Sequence, residues 1–218
     1  MYKNKSKEVD ILLNKPLLKN NKRKENKTIK RNSLYDAAYE LFITKGINNT
    51  AIDDIVKKAG VAKGTFYLYF KDKYDIVDRI ILKKSSVVIK EAIIETEKRR
   101  SEFSDFIEGI IFFINYLIDY LKQNKMLLKL LHKNLSWGIY RKAVNDNSNN
   151  EEMKQLVTIF MQNINTEEYD IEDPKKTLFI ILELTSSICY SAIILEEPDT
   201  IDNMKPILFK SIRKILLK

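Results

Sequence analysis

Glycine and proline are scarce in this chain, five and four residues among 218. These residues punctuate turns and strand-rich folds, so a chain with so few of them is committed to long helices. Apolar residues recur at i, i+3, i+4 and i+7 along most of its length, and no segment alternates convincingly with period two. The expected fold class is therefore all-α.

Side-chain inventory narrows the chemistry. A single cysteine, Cys189, excludes an internal disulfide and a cysteine-rich metal site, and the single histidine, His132, is the only possible centre of a Ser-His-Asp triad. No nucleotide loop, metal cluster or paired acid–base motif is present, so the expectation is a non-enzyme without metal or cofactor. Cys189 sits in the stripe Leu178, Ile181, Leu182, Thr185, Ile188, Ala192 and reads as a small buried residue. The apolar segment 178–195 contains Glu183, Thr185, Ser186, Ser187 and Ser191. That is too polar for a lone membrane span, and it reads as a buried helix. No secretory signal is evident, which predicts a cytoplasmic protein with no membrane partner.

Charge is unevenly placed. The chain carries +8 overall, and residues 1–32 hold eleven Lys/Arg against Glu8, Asp10 and Glu25. That segment alone accounts for the excess, and the remainder is neutral. A basic excess of this kind favours an anionic partner such as nucleic acid. Three segments are expected: a basic, flexible arm over 1–27, a DNA-binding domain over 28–74 and a larger helical domain over 75–218.

The second segment carries the most specific signal. Leu34, Ala37, Ala38, Leu41 and Phe42 mark an amphipathic helix that Gly46 ends. Thr50 is expected to cap a second helix with the stripe Ile52, Ile55, Val56 and Ala59, stopped by Gly60. A third short helix, about 63–70, follows after Gly60-Val61-Ala62, and Asp72 caps a long helix running to about Arg100. Two short helices joined by a tight turn form a helix-turn-helix, whose second helix fits the major groove of DNA. Phe66 and Phe70, four apart, are expected to anchor inward with Val61. Lys63, Thr65, Tyr67 and Tyr69 are then left facing outward or sideways, with Gly64 allowing close backbone approach.

Residues 28–76 resemble the DNA-binding domain of the tetracycline-repressor (TetR) family of bacterial transcription regulators. The resemblance rests on Ala37-Ala38-Tyr39-Glu40-Leu41-Phe42, Gly46, Thr50, Asp54-Ile55, Ala59-Gly60-Val61, Lys63-Gly64, Tyr67, Tyr69-Phe70 and Lys73. It implies phosphate contacts from Thr50 and Lys73. It also places Lys63, Gly64 and Thr65 in the groove and Tyr67, Leu68 and Tyr69 against bases or backbone. Ala62 stands where the family often has serine, and Leu68 where it often has a polar or aromatic residue, so Leu68 offers an apolar contact such as one to a thymine methyl.

The resemblance further implies a homodimer on a near-palindromic operator and a small-molecule inducer bound among the C-terminal helices. The inducer pocket is expected to involve Phe112, Asn115, Tyr116, Tyr120, His132 and Trp137. Dimerisation is expected through two helices, Pro174–Leu195 and Ile201–Leu217, because the first has apolar residues on more than one side. The expected function is a ligand-released repressor. The alternative is a nonspecific architectural DNA-binding protein using the basic arm.

Removing residues 1–26 takes away a net charge of +5. If the arm neutralises phosphates, the truncated protein binds duplex DNA more weakly and with a shallower dependence on salt. An unchanged salt slope in a filter-binding titration would make the arm a bystander.

Overall fold

The computed structural model describes residues 5–131, 151–164, 169 and 171–217, and every regular element among them is helical. The chain divides into two compact units, Met1–Val77 and Asp78–Lys218.

The first unit contains α1 (Lys5–Lys45), α2 (Ile52–Ala59), α3 (Lys63–Tyr67) and the first turn of α4 (Lys73–Lys98). Helix α1 begins well before Thr28, so the expected arm is helical from Lys5. Lys, Leu, Arg and Glu are good helix formers, and no glycine interrupts the chain before Gly46. Gly46 ends α1 at φ +82° and Gly60 ends α2 at φ +66°, backbone positions that glycine adopts without strain. The cap of α2 differs from the expected one. Ala51 occupies that position, and the Asp54 carboxylate accepts its N–H at 3.2 Å. The Thr50 hydroxyl instead donates back to the Gly46 carbonyl at 2.8 Å. Leu34, Ala38, Phe42, Ile55, Phe66, Phe70 and Ile76 form the sealed core of this unit.

Asp72 caps α4 as expected, its Oδ1 accepting from the N–H groups of Tyr74 at 2.8 Å and Asp75 at 2.9 Å. Helix α4 continues into the second unit. A 3-10 turn (Arg100–Glu102) leads to α5 (Phe106–Gln123), α6 (Lys125–Leu131), α7 (Glu151–Ile164), α8 (Pro174–Tyr190), a π-turn (Ser191–Leu195) and α9 (Ile201–Leu216).

Within this unit α8 packs against α5, α6, α7 and α9. Together with its π-turn it is long and apolar enough to cross a membrane, with a mean hydropathy of 2.0. Here Leu178, Ile181, Thr185, Ser186 and Cys189 are buried in the helical core. Burial pushes the Cys189 thiol up to about 12, which leaves it unreactive. Helices α5 and α9 are held in register by Lys122–Asp202 at 2.6 Å, Lys205–Asp119 and Arg213–Glu108.

Side-chain caps set the starts of α5 and α8. Asp105 accepts from the Glu108 N–H at 2.8 Å, and Asp173 accepts from the Lys176 N–H at 3.1 Å, with Pro174 in the first turn. Hydrogen bonds from the Lys176 side chain and then its backbone hold the Asp173 carboxyl below its ordinary value. A depressed carboxyl contributes stability above its unfolded pKa and loses it as pH falls through the folded value.

Asp105→Ala leaves the first turn of α5 uncapped. It is expected to lower the unfolding free energy by about 1 kcal/mol, seen as a fall in the thermal midpoint followed by circular dichroism. A midpoint equal to wild type would mean that water serves the turn equally well.

Candidate nucleic-acid interface and effector cavity

Helix α3 is only five residues long and no isolated helix of that length is stable. Packing holds it. Phe66 and Phe70 are both sealed in the core, with ring centroids 5.3 Å apart, and the edge of Tyr35 meets Phe70 at 5.2 Å. Burying each phenylalanine contributes about 1.5–3 kcal/mol. The helix is shorter than expected, but the turn continues: the Phe66 carbonyl accepts from both Tyr69 N–H at 3.0 Å and Phe70 N–H at 2.9 Å. Val61, expected as a third anchor, is half-buried.

This anchoring fixes what faces outward. Leu68 is 79% exposed and Tyr67 53%, with the Tyr67 ring standing edge-on to Phe66 at 5.5 Å. Tyr69 and Thr65 are half-buried at the margin, and Lys63 and Gly64 are exposed. Lys63 pairs with Asp53 at 2.8 Å, and that hydrogen bond and charge raise its pKa further. The pair is solvent-exposed, so Lys63 is fully charged and free to exchange Asp53 for another anion. A methyl built on Gly64 meets nothing within 4 Å, and Gly64 has no left-handed backbone. Nothing inside the protein requires glycine there.

Thr50 and Lys73 are engaged within the protein. Thr50 is 1% exposed, and its hydroxyl donates to the Gly46 carbonyl. The Lys73 ammonium donates to the carbonyls of Ile47 at 2.7 Å and Thr50 at 3.0 Å, with Asn48 at 3.5 Å. The structure therefore brings Lys63, Gly64, Thr65, Tyr67, Leu68 and Tyr69 to one exposed margin. Thr50 and Lys73 stand behind it as supports of the turn.

The second unit holds a cavity of about 300 Å³ walled by α4, α5, α7 and α8. Ile93, Phe103, Phe106, Ile110, Phe113, Ile114, Leu156, Ile159, Phe160, Leu178, Ile181 and Leu182 line it, with Thr96 and Asn163 as polar side chains. Glu97, Arg100 and Asp105, all exposed, form a charged rim, Arg100 lying 3.7 Å from Glu97. Phe112, Asn115, Tyr116 and Tyr120 do not line it. Phe112 packs on Phe103 at 5.4 Å and the Asn115 side chain donates to the Asp119 carboxylate at 2.9 Å, while Tyr116 and Tyr120 stand roughly one to two turns further along α5 than the lining residues. Burial and the nearby Glu91 and Glu95 carboxylates raise the Tyr116 phenol. His132 and Trp137 lie outside the described residues. Gly109, in mid-helix on the cavity wall, was not singled out from sequence; a glycine inside an otherwise apolar helix was its only signal.

Residues 34–80 match the sequence profile of the bacterial regulatory proteins of the tetR family. These residues are thus similar to a tetR-family helix-turn-helix domain. The similarity includes an uncharacterized HTH-type transcriptional regulator, YvdT, of Bacillus subtilis strain 168, 47% identical over 51 residues, 23% of this chain and 26% of the relative. An HTH-type transcriptional regulator of Staphylococcus aureus strain USA300 is 27% identical over 101 residues, 46% of this chain and 52% of the relative. The chain thus spans between 26% and 52% of the length of these curated relatives. Among solved structures, a TetR-family transcription regulator from Marinobacter aquaeolei VT8 superposes with a TM-score of 0.60 at 16% identity, covering 89% of this chain and 99% of the other. The transcriptional regulator FadR from Bacillus subtilis, solved with stearoyl-CoA, gives a TM-score of 0.55 at 20% identity over 83% and 96%. The tetR-type fold therefore extends well beyond the DNA-binding domain.

A helical glycine that no neighbour requires is a liability to the free protein. Gly64→Ala is expected to raise stability by a few tenths to about 1 kcal/mol while weakening duplex binding, because the methyl enters the space where DNA backbone approaches. A rise in thermal midpoint with unchanged DNA affinity would remove Gly64 from the interface.

Proposed function

We propose that the protein is a transcriptional regulator: a cytoplasmic repressor that binds a near-palindromic operator as a homodimer and is released by a small apolar effector. The observation that carries this reading is the outward margin of the tetR-type domain. A polar and aromatic row, Lys63, Gly64, Thr65, Tyr67, Leu68 and Tyr69, stands on a helix whose opposite side is sealed by Phe66 and Phe70. In this reading Lys63 exchanges Asp53 for a phosphate or a guanine edge, and Thr65 and Leu68 read base edges. Tyr67 and Tyr69 give hydroxyl contacts to the backbone.

One such helix reads too few base pairs, so two are needed about one helical turn apart, roughly 34–36 Å. The apolar surface left on the last two helices supports a dimer through them. Ile180 on α8 is 51% exposed and Ile207 on α9 61%. The apolar cavity supports the effector, and its lining favours a molecule with an apolar body over a hydrophilic one. The fold neighbour FadR, solved with stearoyl-CoA, makes acyl-chain compounds the first to try. An effector releases DNA only through its different affinity for DNA-competent and DNA-incompetent states. Helix α4 contributes Ile93, Thr96 and Glu97 to the cavity wall and begins in the tetR-type domain, so it is the natural carrier of that difference. The architectural alternative has in its favour only the basic excess of residues 1–32.

Selection of duplexes from a randomised library tests the reading. The expected result is an inverted repeat bound by two chains, and sedimentation of the free protein as a dimer. Ile180→Glu is expected to give monomer and to lose the selected duplex, because two carboxylates would meet desolvated across the two-fold axis. Wild-type monomer at micromolar concentration, bound singly to an enriched sequence without symmetry, would overturn it.

A further inference from the structure

We propose that Gly109 is a specificity-determining residue of the cavity in the second unit: the side chain it lacks leaves a seat, between the ring of Phe103 and the methyl of Thr96, for one carbon of a hydrocarbon ligand. The inference rests on the reading of that cavity as the effector site, and names the kind of group that enters it.

Glycine inside a helix is less favourable than alanine, because its backbone has more freedom to lose. Gly109 lies inside α5, buried on the cavity wall, and its backbone is not left-handed. Nothing in the free protein requires glycine there. A methyl built on it meets Phe103 Cδ2 at 3.5 Å, Phe103 Cε2 at 3.9 Å and Thr96 Cγ2 at 3.9 Å, all ordinary van der Waals contacts. Alanine would therefore fit without strain and would add apolar contact. The same three residues, Thr96, Phe103 and Gly109, line the cavity. A ligand carbon at the place of that methyl makes the contacts that alanine would have made.

Both walls of the seat are held by contacts of their own. The Thr96 hydroxyl donates to the Ala92 carbonyl at 2.8 Å, which fixes the rotamer and with it the direction of the methyl. The Phe103 ring packs on Phe112 at 5.4 Å, and the Arg99 guanidinium lies 5.3 Å from the Phe112 centroid. A seat that is already formed costs little ordering when it is filled. Its surface is an aromatic edge, a methyl and a bare helix backbone, and Ile93, Ile110 and Phe113 continue the apolar wall. The exposed Glu97, Arg100 and Asp105 stand at the rim, where the polar end of a ligand meets charge and water. The seat thus takes a chain end or a ring edge, because a charged group there would lose its water and gain no partner.

Full-length wild type and Gly109→Ala are compared by thermal midpoint and by affinity for two hydrocarbon probes, dodecanoate and the fluorescent arylamine N-phenylnaphthylamine. The expected result is a midpoint a few degrees above wild type, together with affinity at least about fourfold weaker for one probe or both, the worth of one buried methylene. Loss for dodecanoate alone assigns the seat to a chain end, and loss for the arylamine alone assigns it to a ring edge. A glycine that merely lets two helices pack would move the midpoint the other way, so a midpoint at or below that of wild type overturns the proposal. A raised midpoint with wild-type affinity for both probes overturns it as well, and leaves the effector reading of the cavity standing. Wild type that binds neither probe overturns that reading and this proposal with it.

Discussion

The exposed margin of α3 depends on two phenylalanines. A five-residue helix has no stability of its own, and its roll about its axis is undetermined until something fixes it. Phe66 and Phe70 do so by filling the core of the first unit beside Leu34, Phe42, Ile55 and Ile76. Once they point inward, helical geometry turns Gly64 and Leu68 to the opposite side with Tyr67 flanking them, and Lys63 is exposed at the helix start. The exposure of Leu68 follows from this constraint: an apolar residue that a free-standing domain would gain by burying is held in water by its neighbours.

The turn before α2 is the second layer of the same construction. Gly46 reverses the chain in a left-handed conformation, and Thr50 and Lys73 bond the carbonyls that the reversal exposes. The exposed row of α3 thus stands beside a turn whose carbonyls are bonded within the unit. The second unit solves a different problem. Its helices enclose an apolar cavity whose wall includes Gly109, where a methyl would sit 3.5 Å from Phe103 in ordinary contact. Glycine there keeps that part of the wall shallow.

Much of this was legible in the sequence, for identifiable reasons. Gly46, Gly60, Asp72 and Asp173 announce helix ends by local chemistry, and the i, i+4 pair Phe66 and Phe70 announces the buried side of α3. The structure departs from expectation where two local partners compete. Thr50 reads as a cap until the Gly46 carbonyl, brought close by the reversal, takes its hydroxyl. Lys73 reads as a phosphate contact, and sequence alone does not reveal that carbonyls of residues 47–50 also face it. On α5 the difficulty was apolarity on several sides. Phe112, Tyr116 and Tyr120 offered polar or aromatic handles, but the cavity is built on Phe106, Gly109, Ile110 and Phe113, a stripe that periodicity assigns to core. The basic segment, read as an arm, continues α1 from Lys5 although Pro16 and several asparagines weigh against a helix there.

We propose that this exposed row reads DNA sequence rather than DNA charge. The direct measurement is the affinity of wild type for its selected duplex relative to a scrambled duplex of equal length, at one physiological salt concentration. A row that reads base edges predicts a preference of about 10³ or more, lost when Tyr67 and Leu68 are both replaced by alanine in a protein that keeps its helicity. A ratio near one for wild type would contradict it and leave only a cationic surface that binds any duplex.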